Sequence, residues 1–583
     1  MKIILVAVNA KYIHSNLAVY TLCSSAKKAG IPVEIAEFTI NQTKDQILRD
    51  LYVAKPEMLC FSCYIWNISI VEDLVTELHK ILPSTVIWLG GPEVSYHAAQ
   101  MLREYPCLTG IMKGEGEETF RELALYYVRG GSLEELSGMD GITWRDEKGE
   151  IHENPYRPVM DLSAVEFPYE NLEQFENRIL YYESSRGCPF SCSYCLSSID
   201  KKLRFRNLDL VRKELQFFLD HKVPQVKFVD RTFNCKKDHA MAIWSYLASH
   251  DNGVTNFHFE IAADLMTEEE LTLLSSFRPG QIQLEIGVQS TNPETIEAIH
   301  RHMDFNRVSA VVRKISEGRN IHQHLDLIAG LPMEDYQSFR RSFADVYALK
   351  PQQLQLGFLK VLKGSYLYEH TKEYDCCYQG KEPYEVLSTR WLPYEDVLKL
   401  KDVEEMVEVY YNSGQFVYTL RIVEKLYENP FDFYQELGDF YRRKGYSNLA
   451  HSRIRRYEIL LEFLTEEKKQ DPELFRQLSV LDLYARENMK TRPAFAKDPG
   501  PAREYSRVFY KKEEEQKKYL PEYEGYDWKQ LMRMTHLEIF DYAVTEDGRC
   551  GREILLFDYR KRDPLTQNAT ILRLDNDGSD ALL

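Results

Sequence analysis

The sequence predicts an α/β protein in three parts: an N-terminal doubly wound parallel sheet of Rossmann-like type, a partial (β/α)6 barrel of TIM type, and a mostly α-helical C-terminal region with a terminal hairpin. Three observations carry that reading. Short apolar runs alternate with amphipathic stretches up to about residue 130, the alternation resumes at 179 for six units, and from 366 it gives way to long charged helical periodicity. A chain of 583 residues has room for three or four domains. The changes of texture place the boundaries at 1–140, 141–178, 179–365 and 366–583.

In the first part, Ile3 to Val8, Val33 to Phe38, Met58 to Tyr64, Val86 to Leu89 and Thr109 to Met112 read as strands, with amphipathic segments near 16–29, 43–54, 69–81, 95–104 and 117–129 between them. Such a sheet binds ligands outside the carboxyl ends of its strands. Those ends carry Asn9 to Asn16, with His14 among them, then Ser62 to Asn67, Gly90-Gly91-Pro92-Glu93 and Gly114-Glu115-Gly116-Glu117. Residues 141–153 read as a hairpin turning at Glu147-Lys148-Gly149, and 154–178, with Pro155, Pro158 and Pro168, as an irregular linker.

The barrel follows from strand-like runs at 179–186, 225–230, 256–263, 281–289, 321–329 and 353–362, with helical stretches near 209–221, 236–250, 267–277, 293–318 and 335–348. Its site is expected at the carboxyl ends of the strands. Beyond 366, the run Lys511 to Lys518 reads as a solvated helix face, and Glu553 to Tyr559 with Ala569 to Leu574 as the closing hairpin. The many tyrosines of this region suit partly wet contact surfaces, so substrate recognition or chamber closure is its expected role.

Composition excludes several classes. The 73 basic against 90 acidic residues leave a net charge of −17, which disfavours nucleic acid as a partner. The longest apolar candidate, Met58 to Val71, is interrupted by Ser62, Asn67 and Ser69, so no membrane span is expected. Eleven scattered cysteines, three of them between 188 and 195, suit metal ligation in the reducing cytoplasm better than a disulfide framework.

The sharpest signal is Arg186-Gly187-Cys188-Pro189-Phe190-Ser191-Cys192-Ser193-Tyr194-Cys195, a C-x3-C-x2-C run at the end of the first barrel strand. Three thiolates in one loop hold three irons of a 4Fe-4S cluster and leave the fourth open to a non-protein ligand. Zinc is the alternative, but its closed sites need a fourth ligand.

On these residues the sequence resembles the radical SAM superfamily. The resemblance implies that Cys188, Cys192 and Cys195 bind the cluster and that S-adenosylmethionine chelates the open iron. It further implies adenine contact for Tyr194 and placement of Phe228-Val229-Asp230-Arg231-Thr232-Phe233-Asn234, Asp230 included, near the methionine amino group. Glu285, Gln289 and Ser290 would take ribose and carboxylate contacts, and Asp326 to Pro332 a fifth-strand adenine contact. With the glycine-bearing loops of the first domain, residues 1 to about 365 resemble the cobalamin-binding radical SAM group. Cobalamin contacts are then expected at Asn9, His14, Ser62, Gly90, Gly91, Pro92, Glu93, Gly114, Glu115 and Gly116. The D-x-H-x-x-G motif that supplies a lower axial histidine is absent, so His14 reads first as a loop histidine, with cobalamin bound without a protein ligand.

The resemblance implies an enzyme that cleaves S-adenosylmethionine reductively to a 5′-deoxyadenosyl radical and, by the commonest outcome in the group, methylates an unactivated carbon. Rearrangement, cyclisation or methylthiolation with a non-catalytic first domain is the second reading, and a sensor or scaffold holding cobalamin and a cluster the third. Implied partners are a small-molecule or peptide substrate and an electron donor such as flavodoxin or ferredoxin.

Overall fold

A computed structural model describes residues 1–498, 500 and 502–574. Its internal contacts form two compact units, one of Met1–Ile321, Ile328–Asp335 and Phe358–Tyr394, the other of His322–Leu327, Tyr336–Gly357 and Glu395–Leu583.

The first unit opens with a seven-stranded sheet of β1 (Ile3–Asn9), β2 (Val33–Thr39), β3 (Met58–Ser62), β4 (Val86–Gly90), β5 (Gly110–Met112), β6 (Ile142–Arg145) and β7 (Ile151–Glu153), in the order β2-β1-β3-β4-β5-β6-β7. The first five strands are parallel. β1 lies between β2 and β3 and every residue of it is buried, which is why it reads as an unbroken apolar run rather than an alternation. Strand order reverses between β1 and β3, and ligands of doubly wound sheets bind at such a reversal.

The hairpin expected in 141–153 forms, with Asp146 Oδ1 accepting the Lys148 and Glu150 N–H groups at its turn, but it does not stand apart from the first domain. β6 pairs antiparallel with β5 and β7 with β6, so the hairpin extends the first sheet. The physical reason is apolar: Ile142 and Trp144 are buried and need that sheet edge.

The barrel strands are β8 (Leu180–Tyr182), β11 (Gln225–Phe228), β12 (Asn256–Ile261), β13 (Ile282–Gln289), β14 (Ile321–Ala329) and β15 (Gln353–Phe358), in the order β15-β14-β13-β12-β11-β8; β9 (Ser185–Arg186) and β10 (Arg204–Phe205) form a separate antiparallel pair. Residues of β13 alternate between buried and half-buried, apolar Ile282, Leu284, Ile286 and Val288 packing outward and Gln283, Glu285, Gly287 and Gln289 facing the other way. The expected boundary at 365 cuts through a segment that belongs here. Phe358–Tyr394, with β16 (Cys377–Tyr378) and β17 (Val386–Ser388), packs Leu359, Val361, Leu367 and Val386 into one core with Ile299 and Leu331.

In the second unit, helices such as Pro430–Lys444 and Pro472–Arg486 accompany a three-stranded antiparallel sheet of β18 (Thr535–Tyr542), β19 (Cys550–Arg562) and β20 (Ala569–Arg573). The expected hairpin is β19–β20; β18 escaped the sequence reading because Glu538 and Asp541 interrupt its apolar pattern. Tyr410, Tyr434 and Tyr457 are fully buried, with Tyr410 bonded to Tyr441 and Tyr434 to Tyr347. These tyrosines build the core rather than a wet surface. Among the described residues no helix is long and apolar enough to cross a membrane.

Gly110 faces the Trp88 ring in the first sheet; a Cβ there would overlap that ring and approach the Thr143 carbonyl to 2.9 Å. Gly110→Ala is expected to destabilise the first domain by about 2 kcal/mol through overpacking, seen as an earlier first transition in thermal unfolding followed by far-UV circular dichroism. An unchanged transition would refute this account of Gly110.

Candidate active site

A cavity of about 760 Å³ lies within the first unit. One wall is made by the carboxyl ends of β1, β3, β4 and β5, through Asn9, Ser62, Gly90, Gly91, Pro92, Gly114, Glu115 and Gly116; the other by the barrel side, through Tyr181, Glu183, Ser185, Arg186, Gly187, Asp200, Val229 and Arg231. The size falls in the ordinary range of ligand sites.

The cysteine loop leaves the β9–β10 pair. Gly187, at φ +94°, makes the turn, and a Cβ there would stand 2.7 Å from the Lys202 carbonyl. Cys188 N–H donates to the Asp200 carbonyl at 3.2 Å, Cys195 N–H to Cys192 O at 3.1 Å, and Leu367 N–H to Ser193 O at 2.8 Å. Cys188 and Cys192 are buried and Cys195 half-buried. Burial pushes the Cys188 thiol up, and its neighbours Cys195 and Cys192 add to the rise, so the thiolate form needs cationic charge. Arg301 Nη1 supplies some, donating to Cys192 Sγ at 3.6 Å.

Among the described residues no three His, Cys, Asp or Glu side chains converge on one ion position. A tetrahedral zinc, with sulfurs at about 2.3 Å from one centre, needs such convergence. A cubane takes one thiolate per iron, and three thiols in one loop, two buried and one half-buried, fit it. Beside them, Gln289 stands at φ +71° and its buried Oε1 has no hydrogen-bond partner. An orphaned acceptor on a strained residue marks a place for a ligand, and the polar groups of S-adenosylmethionine fit it.

The remaining expected contacts divide. Asn9 is buried, its Nδ2 donating to Glu37 at 2.9 Å and to the His14 carbonyl at 3.2 Å. His14 lines the cavity with Nδ1 2.7 Å from the Tyr181 hydroxyl, and burial, with the Lys11 and Lys227 charges, lowers its pKa. Ser62 Oγ accepts from Asn16 at 3.3 Å. Tyr194 packs against the Leu359–Val386 core beside the thiols, and burial raises its pKa. Glu93 does not line the cavity: its carboxylate accepts from Tyr384 at 2.5 Å and pairs with Lys363 at 3.1 Å. Gly91, at φ +114°, lacks a Cβ because one would overlap the Cys63 carbonyl.

Asp230 is fully buried and accepts from Ser184 N and Oγ and from Ser185 Oγ at 2.6–2.9 Å. Burial raises its pKa to about 6 against these three donors. It therefore ties the end of β11 to the start of the cysteine loop rather than presenting a carboxylate to an amino group. Glu285 lies four residues before the end of β13, about 13 Å down the strand. Lys227 Nζ at 3.0 Å and His258 Nε2 at 2.9 Å hold it ionised in spite of burial. Ser290 donates to Glu334 at 2.6 Å.

Sequence reading missed two arginines. Arg186 was legible only as part of the motif, yet it pairs with Glu183 and Glu117 at 2.7 Å and Glu115 at 3.3 Å. Arg301 carries no local signal; it lies between the helices Pro293–Ala298 and Phe305–Gly318, where nothing in the neighbouring sequence hints that it reaches Cys192. The basic run Arg560-Lys561-Arg562 is engaged locally by Glu522 and by the Arg486 and Gln567 carbonyls.

Replacing Cys188, Cys192 and Cys195 together by alanine is expected to abolish iron uptake on anaerobic reconstitution, measured as iron and sulfide per chain. Retention of about four irons would place the cluster on other cysteines.

Three family models match: "B12 binding domain" over residues 3–124, "Radical SAM superfamily" over 182–346 and "Protein of unknown function (DUF4080)" over 372–557. Among curated proteins, an "uncharacterized methyltransferase" of Pyrococcus horikoshii is 24% identical over 301 residues, 50% of this chain and 64% of that protein. The 2-(S-pantetheinyl)-carbapenam-3-carboxylate methyltransferase of Streptantibioticus cattleyicolor is 26% identical over 309 residues, 49% of this chain and 44% of that protein. The matched region thus spans less than two thirds of these relatives. Among solved structures, the cobalamin-dependent S-adenosylmethionine radical enzyme OxsB with aqua-cobalamin bound superposes with TM-score 0.60 at 16% identity, covering 85% of this chain and 82% of that one. The radical S-adenosylmethionine methyltransferase TsrM of Kitasatospora setae, with cobalamin and a 4Fe-4S cluster bound, gives 0.54 at 18% identity, covering 64% and 78%. One chain therefore carries a match to the B12 binding domain and a match to the radical SAM superfamily, whose residues line one cavity from two sides, and in this it is similar to the cobalamin-binding radical SAM family.

Proposed function

We propose that the chain is a cobalamin-dependent radical SAM enzyme that methylates an unactivated carbon of a small molecule. The observation that carries this reading is the single cavity bounded by the strand ends of the first sheet on one side and the cysteine-loop neck on the other. Cys188, Cys192 and Cys195 would hold the cluster, Gln289 and Tyr194 would contact S-adenosylmethionine, and Ser62, Gly90, Gly114 and Gly116 would face cobalamin. When bound, these groups supply one-electron cleavage of a sulfonium and a transferable methyl group.

The chain's own residues bind, orient and exclude water. The apolar and aromatic lining of the cavity, including Leu17, Leu22, Phe61, Tyr96 and Met112, keeps it dry. Arg301 places a fixed positive charge at the Cys192 sulfur. His14, held by Tyr181 and with its pKa lowered by burial and by the Lys11 and Lys227 charges, would stand on the wall that holds cobalamin.

A second outcome rests on relatives named anaerobic magnesium-protoporphyrin IX monomethyl ester cyclase, such as that of Rubrivivax gelatinosus, 21% identical over 316 residues. Product analysis separates the two: methyl transfer yields S-adenosylhomocysteine along with 5′-deoxyadenosine, whereas cyclisation yields 5′-deoxyadenosine alone. Absence of 5′-deoxyadenosine from reduced, reconstituted protein would overturn both.

Placement of cobalamin has its own test at Ala18, which lines the cavity on the helix Leu17–Lys28. Gly91 serves poorly, since any side chain there strikes the Cys63 backbone. Ala18→Trp is expected to lower corrinoid uptake at least about tenfold, read from the bound corrinoid absorbance, and to leave iron content unchanged. Undiminished corrinoid uptake would count against this site.

A further inference from the structure

The charged groups on the cavity wall are matched with one exception. Glu183 and Glu117 pair with Arg186 at 2.7 Å. Glu115 pairs with Arg186 and Arg204 and accepts the Met160 N–H at 2.9 Å, and Asp200 pairs with Arg204. Arg231, which also lines the cavity, is exposed and makes no side-chain hydrogen bond or ion pair among the described residues. Its backbone is fixed on both sides, by buried Asp230 with its three donors and by Thr232, whose hydroxyl lies 3.7 Å from Cys188 Sγ. A guanidinium is thus held at the cavity without a protein counter-ion.

Tyr64 and Trp66 line the same cavity and stack with ring centroids 4.4 Å apart at 5°. Trp66 Nε1 donates to the Val8 carbonyl at 3.2 Å, which sets the indole, yet the residue stays 40% exposed. Burial raises the Tyr64 pKa, and the Arg231 charge is near enough to oppose that rise. A planar guanidinium matches the oxygens of a carboxylate or phosphate bidentately, while an open aromatic face takes a flat or apolar body.

We propose that Arg231 and the Tyr64–Trp66 pair form a substrate subsite, and that the substrate carries a carboxylate or phosphate on a flat or apolar body. This deepens the proposed function and rests on the cavity being its reaction chamber.

The test uses the full chain reconstituted anaerobically with iron, sulfide and hydroxocobalamin, titrated calorimetrically with benzoate and phenyl phosphate, with benzamide and phenol as uncharged counterparts. Arg231→Gln is expected to weaken benzoate and phenyl phosphate about tenfold or more and to leave benzamide and phenol unchanged, whereas Arg231→Lys retains part of the preference. Trp66→Ala is expected to weaken all four probes alike. Equal benzoate affinity in Arg231→Gln and the parent, or no binding of either anion by the parent at millimolar concentration, overturns the proposal. So does an Arg231→Gln protein whose affinity for S-adenosylmethionine or cobalamin falls while the probes bind as before, since the anion recognised would then be a cofactor's. Failure of the parent to take up iron and corrinoid is read before any titration and is instead the failure of the functional reading.

Discussion

The Arg186 guanidinium joins the two walls of the cavity. It stands one residue before the glycine that turns into the cysteine loop, and it reaches Glu183 on its own side, and Glu115 at the cap and Glu117 in the first turn of the helix Gly116–Arg129 that follows β5. Buried charges survive only when paired, and removing one partner of such a set costs about 3–5 kcal/mol. The arrangement therefore fixes the cysteine loop against the first domain through charge geometry as well as apolar contact. Arg204 completes the balance by taking Glu115 and Asp200. Burial alone would raise the Glu115 pKa; the Met160 N–H, Arg186 and Arg204 together hold it below the usual carboxylate range.

A wall so paired presents little net field to what binds within it. That has a chemical use in a chamber meant to be dry, where an unpaired carboxylate would attract water and cations. It also makes the unpaired groups informative. Among the described residues, Arg231 on the wall and the Gln289 carbonyl oxygen in the barrel are two groups left with capacity, one a donor fork and the other an acceptor, and a site recognises ligands through such leftover capacity rather than through groups already satisfied.

Much of this was legible in the sequence because its signals are local. Three cysteines within eight residues, glycines at strand ends and apolar runs of five to seven residues are properties of neighbouring positions, and β1, β3, β4 and β13 appear close to where periodicity puts them. What was illegible depends on contacts between distant positions. The hairpin 141–153 reads as separate from the first sheet until β6 is seen to pair with β5. The tyrosines after 400 look amphipathic until each hydroxyl finds a buried partner, as Tyr410 finds Tyr441. The boundary at 365 fails for the same reason: Leu367 donates its N–H to Ser193, some 170 residues earlier in the chain, inside the cysteine loop.

Motif resemblance names residues but not their depth, and depth decides which of them meet a ligand. Asp230 and Glu285 both sit in runs that resemble cofactor contacts, yet one is consumed by Ser184 and Ser185 and the other, about 13 Å below the strand end, by Lys227 and His258. A carboxylate offers about four acceptor positions, and two or three donors from the chain itself fill most of them and fix the group in place. Lys227, Glu285 and His258 form a floor across β11, β12 and β13, Asp230 clamps the loop above it, and Gln289 stands at the mouth of β13 while Arg231, Ser62 and the glycines after β4 and β5 line the cavity.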